Sequence, residues 1–152
     1  MEKLDKFDRK LLDVLQSDGD LSLDAIGDRV GLSRNACWRR IRALEATGVI
    51  TGRTTLVNPE ALGLGLKVFI MVRTNAHTAD WAESFRKATR DMPQILGAYR
   101  MTGDLDYLIH ARVADMADYD SLYQNLIRRV NLSDVSASFV MEQIKETHRL
   151  PV

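Results

Sequence analysis

The sequence predicts an α+β chain in two parts: a helical N-terminal part, and a βαββαβ part behind it. Two observations carry this. Up to Asn58-Pro59 the apolar residues recur at helical spacing; beyond Pro59 they form short strand-like runs interrupted by two helical ones. Turn-forming residues stand where the period breaks, at Asp18-Gly19-Asp20, Gly31, Gly48 and Thr102-Gly103-Asp104.

In the first part, Leu4, Phe7, Leu11, Leu12, Val14 and Leu15 place a helix over residues 6–17. Ser22 caps a second helix that turns Ala25, Ile26 and Val30 inward, and Gly31 supplies the left-handed residue that ends it. Ser33 caps a third, with Cys37, Ile41 and Leu44 inward and Gly48 at its end. Residues 49–57 alternate around Gly52-Arg53 and read as a short hairpin, so this part is predicted as a winged helix-turn-helix over residues 1–58.

In the second part, a hinge over residues 59–65 contains the linker-like Ala61 to Gly65. Residues 66–74 read as a strand, and 78–91 as a helix with Trp81, Phe85 and Ala88 on one face. Strands at 95–101 and 106–113 flank the Gly103 turn. A helix over 116–130 turns Met116, Tyr119, Leu122, Tyr123, Leu126 and Val130 inward, and 135–144 reads as the last strand. This order is the ferredoxin-like βαββαβ arrangement, predicted over residues 66–152.

Two helices cover one face of such a sheet, and the other face should then be polar. It is not: Phe69 and Met71 oppose Leu66, Val68, Ile70 and Val72, while Val140 and Ile144 oppose Val135, Ala137, Phe139 and Met141. A second copy of the sheet is the simplest cover, which predicts a homodimer.

Composition excludes several classes. The chain has 152 residues, 45% hydrophobic and 28% charged, as in ordinary globular proteins. No apolar run is long enough to cross a bilayer and the N-terminus has no signal-like apolar core, so no membrane partner is expected. Cys37 is the single cysteine; it precludes an intrachain disulfide and a Cys-rich metal site and suits a reducing cytoplasm. Its inward position makes it a core residue rather than a redox switch. No cofactor and no metal are expected.

Net charge is zero, yet residues 33–46 carry Arg34, Arg39, Arg40 and Arg42 against one acid, Glu45. At about 100° per residue, Asn35, Arg39 and Arg42 fall opposite the apolar Cys37, Ile41 and Leu44, with Arg34 and Trp38 at the flanks. Arginine reads guanine and asparagine adenine in the major groove of double-stranded DNA. Arg40, off this face, suits a phosphate, as do Ser33 with the helix N-terminus and Arg53 and Thr54 on the hairpin. The bland alternative is a solvated basic face. The preceding helix, the Gly31 turn and the scarcity of acids favour DNA, while Trp38 suits packing on the first helix.

These residues resemble a known family. Leu4-Asp5, Phe7-Asp8, Leu11-Leu12, Val30 to Ser33, Cys37, Arg39 to Ile41, Leu44-Glu45 and Gly48 to Ile50 are similar to the N-terminal half of Lrp/AsnC (leucine-responsive, or feast-famine) regulators. Gly103 to Leu108 resembles that family's Gly-Asp-x-Asp-Tyr-Leu turn, and Val140 to Glu142 with Ile144-Lys145 resembles its last strand. The resemblance implies a transcriptional regulator that dimerises through its C-terminal sheets, commonly assembles to octamers, and binds a small amino acid between effector domains. It implies an effector site of Met101, Thr102, Gly103, Asp104 and Asp106, faced by Ser136, Ser138 and Phe139. Backbone N–H groups at a glycine turn suit a carboxylate, and two acids suit an ammonium. Read without the family, Gly-Asp simply makes a hairpin turn. A small polar or sulfur amino acid such as cysteine fits one branch of the family.

The sequence departs from the family in two places. Ser33 to Ala36 stands where many members carry prolines and threonines, and Val130 to Asp134 lacks the common Pro-Gly. Among rival readings, an enzyme is disfavoured, because His77, His110 and His148 have no nucleophile motif beside them. A protein-binding winged helix and a sequence-tolerant DNA wrapper remain open.

Overall fold

A computed structural model describes residues 4–152; Met1–Lys3 of the expected first domain lie outside the described residues. The chain forms two compact units, one running through Leu56 and including Lys145–Val152, the other Val57–Ile144.

The first unit contains α1 (Lys6–Ser17), α2 (Leu23–Val30) and α3 (Arg34–Ala46). Each starts at a side-chain cap. Asp5 accepts from Phe7 and Asp8 backbone N–H groups while Asp8 reaches back to Asp5 N, and Ser22 and Ser33 accept from Ala25 N and Ala36 N. Gly31 ends α2 in the left-handed region at φ 78°. Leu11, Ile26, Val30, Cys37 and Ile41 make the core, with Phe7, Leu15, Leu32 and Ile50 packed around it. Burial of each aliphatic side chain contributes about 1.5–3 kcal/mol relative to exposure.

The expected hairpin over 49–57 is not seen. Ile50 N donates to Leu44 O, but residues 51–58 form no strand and lie exposed. A two-stranded ribbon is marginal alone, and here only Ile50 reaches the core.

The expected C-terminal tail also differs. Sequence patterning assigns it to the second domain, but Lys145–Val152 belongs to the first unit. Gln16 Nε2 donates to Leu150 O, Leu150 N donates to Gln16 Oε1, and Arg149 pairs with Asp13.

The second unit is a four-stranded antiparallel sheet in the order β2-β3-β1-β4, with β1 Leu66–Arg73, β2 Ile95–Arg100, β3 Tyr107–Val113 and β4 Asp134–Phe139. Helices α4 (Ala79–Arg90) and α5 (Met116–Arg129) pack against one face. Val68, Ile70, Val72, Ile109, Ala111 and Val113 from the strands meet Trp81, Phe85, Leu122 and Leu126 from the helices. Met116, expected inward, is exposed at the first turn of α5.

Beta-4 stops five residues short of expectation, because its partner β1 begins at Leu66 and the last bond is Val140 N to Lys67 O. Met141 and Ile144 are left exposed. The hinge forms a single 3₁₀ turn, Glu60–Leu62, and Arg112 ties it to β3 through Glu60 (3.4 Å) and Leu64 O (3.3 Å).

Candidate nucleic-acid and effector sites

The third helix is amphipathic in the sense the sequence predicts. Cys37, Ile41 and Leu44 are buried, while Arg34, Asn35, Trp38, Arg39 and Arg42 are exposed. Gly27 makes the preceding turn tight: a Cβ there would lie 2.5 Å from Leu32 O. Gly31 N and Leu32 N both donate to Gly27 O, and the chain reverses directly into the Ser33 cap. Sequence periodicity does not flag this glycine, since an interior helical glycine reads as a tolerated weakness.

Trp38, expected to pack on α1, leaves about half of its surface open. The Arg42 guanidinium sits over its ring at 5.9 Å. Glu45 accepts from Arg42 at 3.0 Å and lies 3.9 Å from Arg53, so the segment after α3 brings Arg53 beside Arg42 and Trp38. These side chains border a hollow of about 400 Å³ with Leu23, Ile41 and Ile50 in its walls.

Arg34 pairs with Asp24 at 2.9 Å on the surface. Arg39 is exposed and has no partner among the described residues.

Arg40, expected at a phosphate, has acidic partners within the fold. It donates to Asp5 Oδ2 at 2.7 Å and Asp8 Oδ1 at 2.8 Å and lies over the Phe7 ring at 5.5 Å. It closes the cap of α1 onto α3, a role that the sequence does not announce. Those hydrogen bonds with the two carboxylates hold its pKa above the ordinary arginine value. The Asp8 backbone N–H, then the Arg40 side chain, pull the Asp5 carboxyl below its ordinary range. Burial raises the Cys37 thiol, which suits a core residue.

In the sheet unit, the effector-turn residues Met101, Thr102, Gly103 and Asp104 are exposed, and Gly103 has φ 98°. Met101 N donates to Asp106 O and Asp106 N to Val72 O, which pins the turn to the end of β1. Asp106 Oδ2 accepts from Thr74 N at 2.8 Å, so this carboxylate is engaged in holding the fold, whereas Asp104 offers only its carbonyl to a neighbour.

That neighbour is Arg73, which the sequence reading missed. Its Nε donates to Asp104 O at 2.9 Å and its Nη1 to Asp134 Oδ2 at 2.6 Å. The available signal was a lone cation closing an apolar strand.

Cross-strand register places Ser136 beside Met71 and Ser138 beside Phe69, on the face away from the helices. Ser136 shares its row with Met71, Leu108 and Tyr99, toward the turn; Ser138 lies one row further. Phe139 is a correction. It pairs with Val68, faces the helices and meets Tyr119 edge-on at 5.0 Å, so the period-2 pleat turns it away from both serines.

Among the described residues no helix is long and apolar enough to cross a membrane, and no cluster of His, Cys, Asp and Glu could hold a metal.

Residues 4–51 match a winged helix-turn-helix DNA-binding domain, and residues 67–150 match the Lrp/AsnC ligand binding domain. The chain is 46% identical over 152 residues to a glutamate uptake regulatory protein of Zymomonas mobilis, covering 100% of this chain and 93% of that one. It is 46% identical over 150 residues to the DNA-binding transcriptional activator DecR of Escherichia coli, covering 98% and 99%. Its fold is similar to a crystal structure of a Neisseria meningitidis transcriptional regulator in complex with L-methionine. There the TM-score is 0.94 at 36% identity, covering 98% of this chain and 97% of that chain.

Proposed function

The chain belongs to the Lrp/AsnC family of transcription regulators, and on that premise we propose how its two units divide the work. It is a DNA-binding regulator with an amino-acid-binding effector domain, not an enzyme, as its relatives are named regulators. The DNA contact we assign to α3: Asn35, Arg39 and Arg42 toward base edges, with Arg34, Trp38, Arg53 and the Ser33 cap toward the backbone. One observation carries this reading: a capped helix behind a tight glycine turn buries Cys37, Ile41 and Leu44 and leaves its cations on the opposite, exposed side.

The test is duplex binding by fluorescence anisotropy across a salt series. Arg39→Ala with Arg42→Ala should weaken binding, and the slope of log K against log salt should fall by about one per lost phosphate contact. An unchanged affinity and slope in a folded double variant would overturn the assignment.

For the effector, we assign the Gly103 turn and Asp104, with Arg73 for the carboxylate and Ser136 alongside. The methionine-bound relative supports an amino-acid ligand of this general kind. A thermal-shift screen of the standard amino acids identifies it, since a ligand of the native state alone raises its stability. The half-buried Phe69 and Met71, with Leu108 and the 53%-exposed Tyr99, support a second copy covering the open sheet face and further assembly toward an octamer. DNA as a partner, together with the single buried thiol, supports action in the cytoplasm.

A further inference from the structure

Alpha-4 and the edge strand β2 border an open groove of about 830 Å³ on the helix side of the sheet. Its floor is aromatic: Phe85 and Tyr107 have ring centroids 4.4 Å apart, and Trp81 lies 5.3 Å from Phe85 and 5.4 Å from Tyr107. Ile95 and Ala98 continue this apolar surface along β2. The rim is cationic, with Arg86, Arg90 and Arg100, and no aspartate or glutamate lines the groove. In a chain of zero net charge that segregation is local. Arg86 is held by Glu83 at 2.9 Å, whereas Arg90 and Arg100 have no partner among the described residues.

We infer that this groove is a second small-molecule site, for a carboxylic or 2-oxo acid with a flat apolar body, separate from the amino-acid site at the Gly103 turn. Tyr107, Ile95 and Ala98, backed by the buried Trp81 and Phe85, accept the body, and Arg90 and Arg100 receive the carboxylate as charge-assisted hydrogen bonds. The lining has no carboxylate to receive an ammonium, so the groove selects against zwitterionic amino acids. Its volume suits a metabolite. An added peptide strand is disfavoured, because the β2 edge carries a bulge at Ile95/Gly97 and ends on a cation, both of which block edge pairing. A phosphodiester backbone would leave the aromatic floor unused.

The test uses the full chain and phenylacetate, with 2-phenylethanol and phenylglycine as the uncharged and zwitterionic comparisons. In a Trp38→Phe background Trp81 is the remaining tryptophan and reports occupancy by its emission. Phenylacetate should saturate and both comparisons should bind roughly tenfold more weakly or worse. Arg90→Gln with Arg100→Gln should abolish the preference for the acid and, in the chain that keeps Trp38, should leave the melting temperature and duplex affinity unchanged. Asp104→Asn should leave phenylacetate binding intact, which separates this site from the effector turn. Equal binding of acid and alcohol, or no saturation, overturns the inference. So does loss of duplex affinity in the double variant, which would give these arginines to nucleic acid. Loss of phenylacetate in Asp104→Asn would merge the two sites.

Discussion

The carbonyl oxygen of Leu32 stands 2.5 Å from where a Cβ on Gly27 would be. Gly27→Ala ordinarily gains helix propensity; here it should instead lower stability by about 1–3 kcal/mol, because the atom it meets is backbone and cannot swing aside. Urea unfolding gives the sign, and a stabilised variant would mean that the α2–α3 turn is looser than described.

Arg40 and Arg39 are adjacent yet should behave oppositely. Arg40→Ala breaks a partly exposed pairing with Asp5 and Asp8, and should cost about 0.5–1.5 kcal/mol of stability while sparing the salt slope of DNA binding. Arg39→Ala should leave the melting temperature unchanged and weaken binding. Measuring both quantities on both variants decides it.

Acid should act through Asp5. Its pKa in the fold is below the ordinary 3.8, held down by the Asp8 backbone N–H and by Arg40. A lowered folded pKa contributes stability that is present above the unfolded value and disappears as pH falls through the folded one. The stability gap between the wild type and Asp5→Asn should therefore narrow in strongly acidic solution. A gap independent of pH would remove the charge from the account.

Cys37 is completely buried. Its alkylation by iodoacetamide should track global unfolding in urea and be negligible in buffer. Rapid modification of the native protein would place the thiol at the surface.

Met71→Glu puts a charge in the middle of the open sheet face, between Ser136 and Leu108. Sedimentation should show a smaller species than wild type with circular dichroism retained. If assembly persisted unchanged, another surface would have to hold the copies together.

Much of this was legible in the residue pattern. Caps at Ser22 and Ser33, the left-handed Gly31 and the burial of Cys37, Ile41 and Leu44 follow from local chemistry. So does the order of strands and helices, since alternating and helical periods differ sharply. What escaped was whatever depends on a distant partner. Arg40 reads as a surface cation until α1 comes alongside with two carboxylates, and Arg73 reads as a strand end until Asp104 and Asp134 flank it. Phe139 was misplaced because a resemblance carries residue identity, whereas the pleat decides which side of a sheet a residue sees.

The return of residues 145–152 to α1 makes the DNA-reading half discontinuous in sequence. Proteolysis at the exposed segment 51–58 would free a headpiece stripped of its Arg149 and Leu150 clamp, so excision cannot reproduce that half intact. Leu4 and Val152 also belong to one unit, so an affinity tag joined beside either burdens the part that must approach the duplex. Comparisons of tagged and untagged protein therefore belong at the start of any binding series.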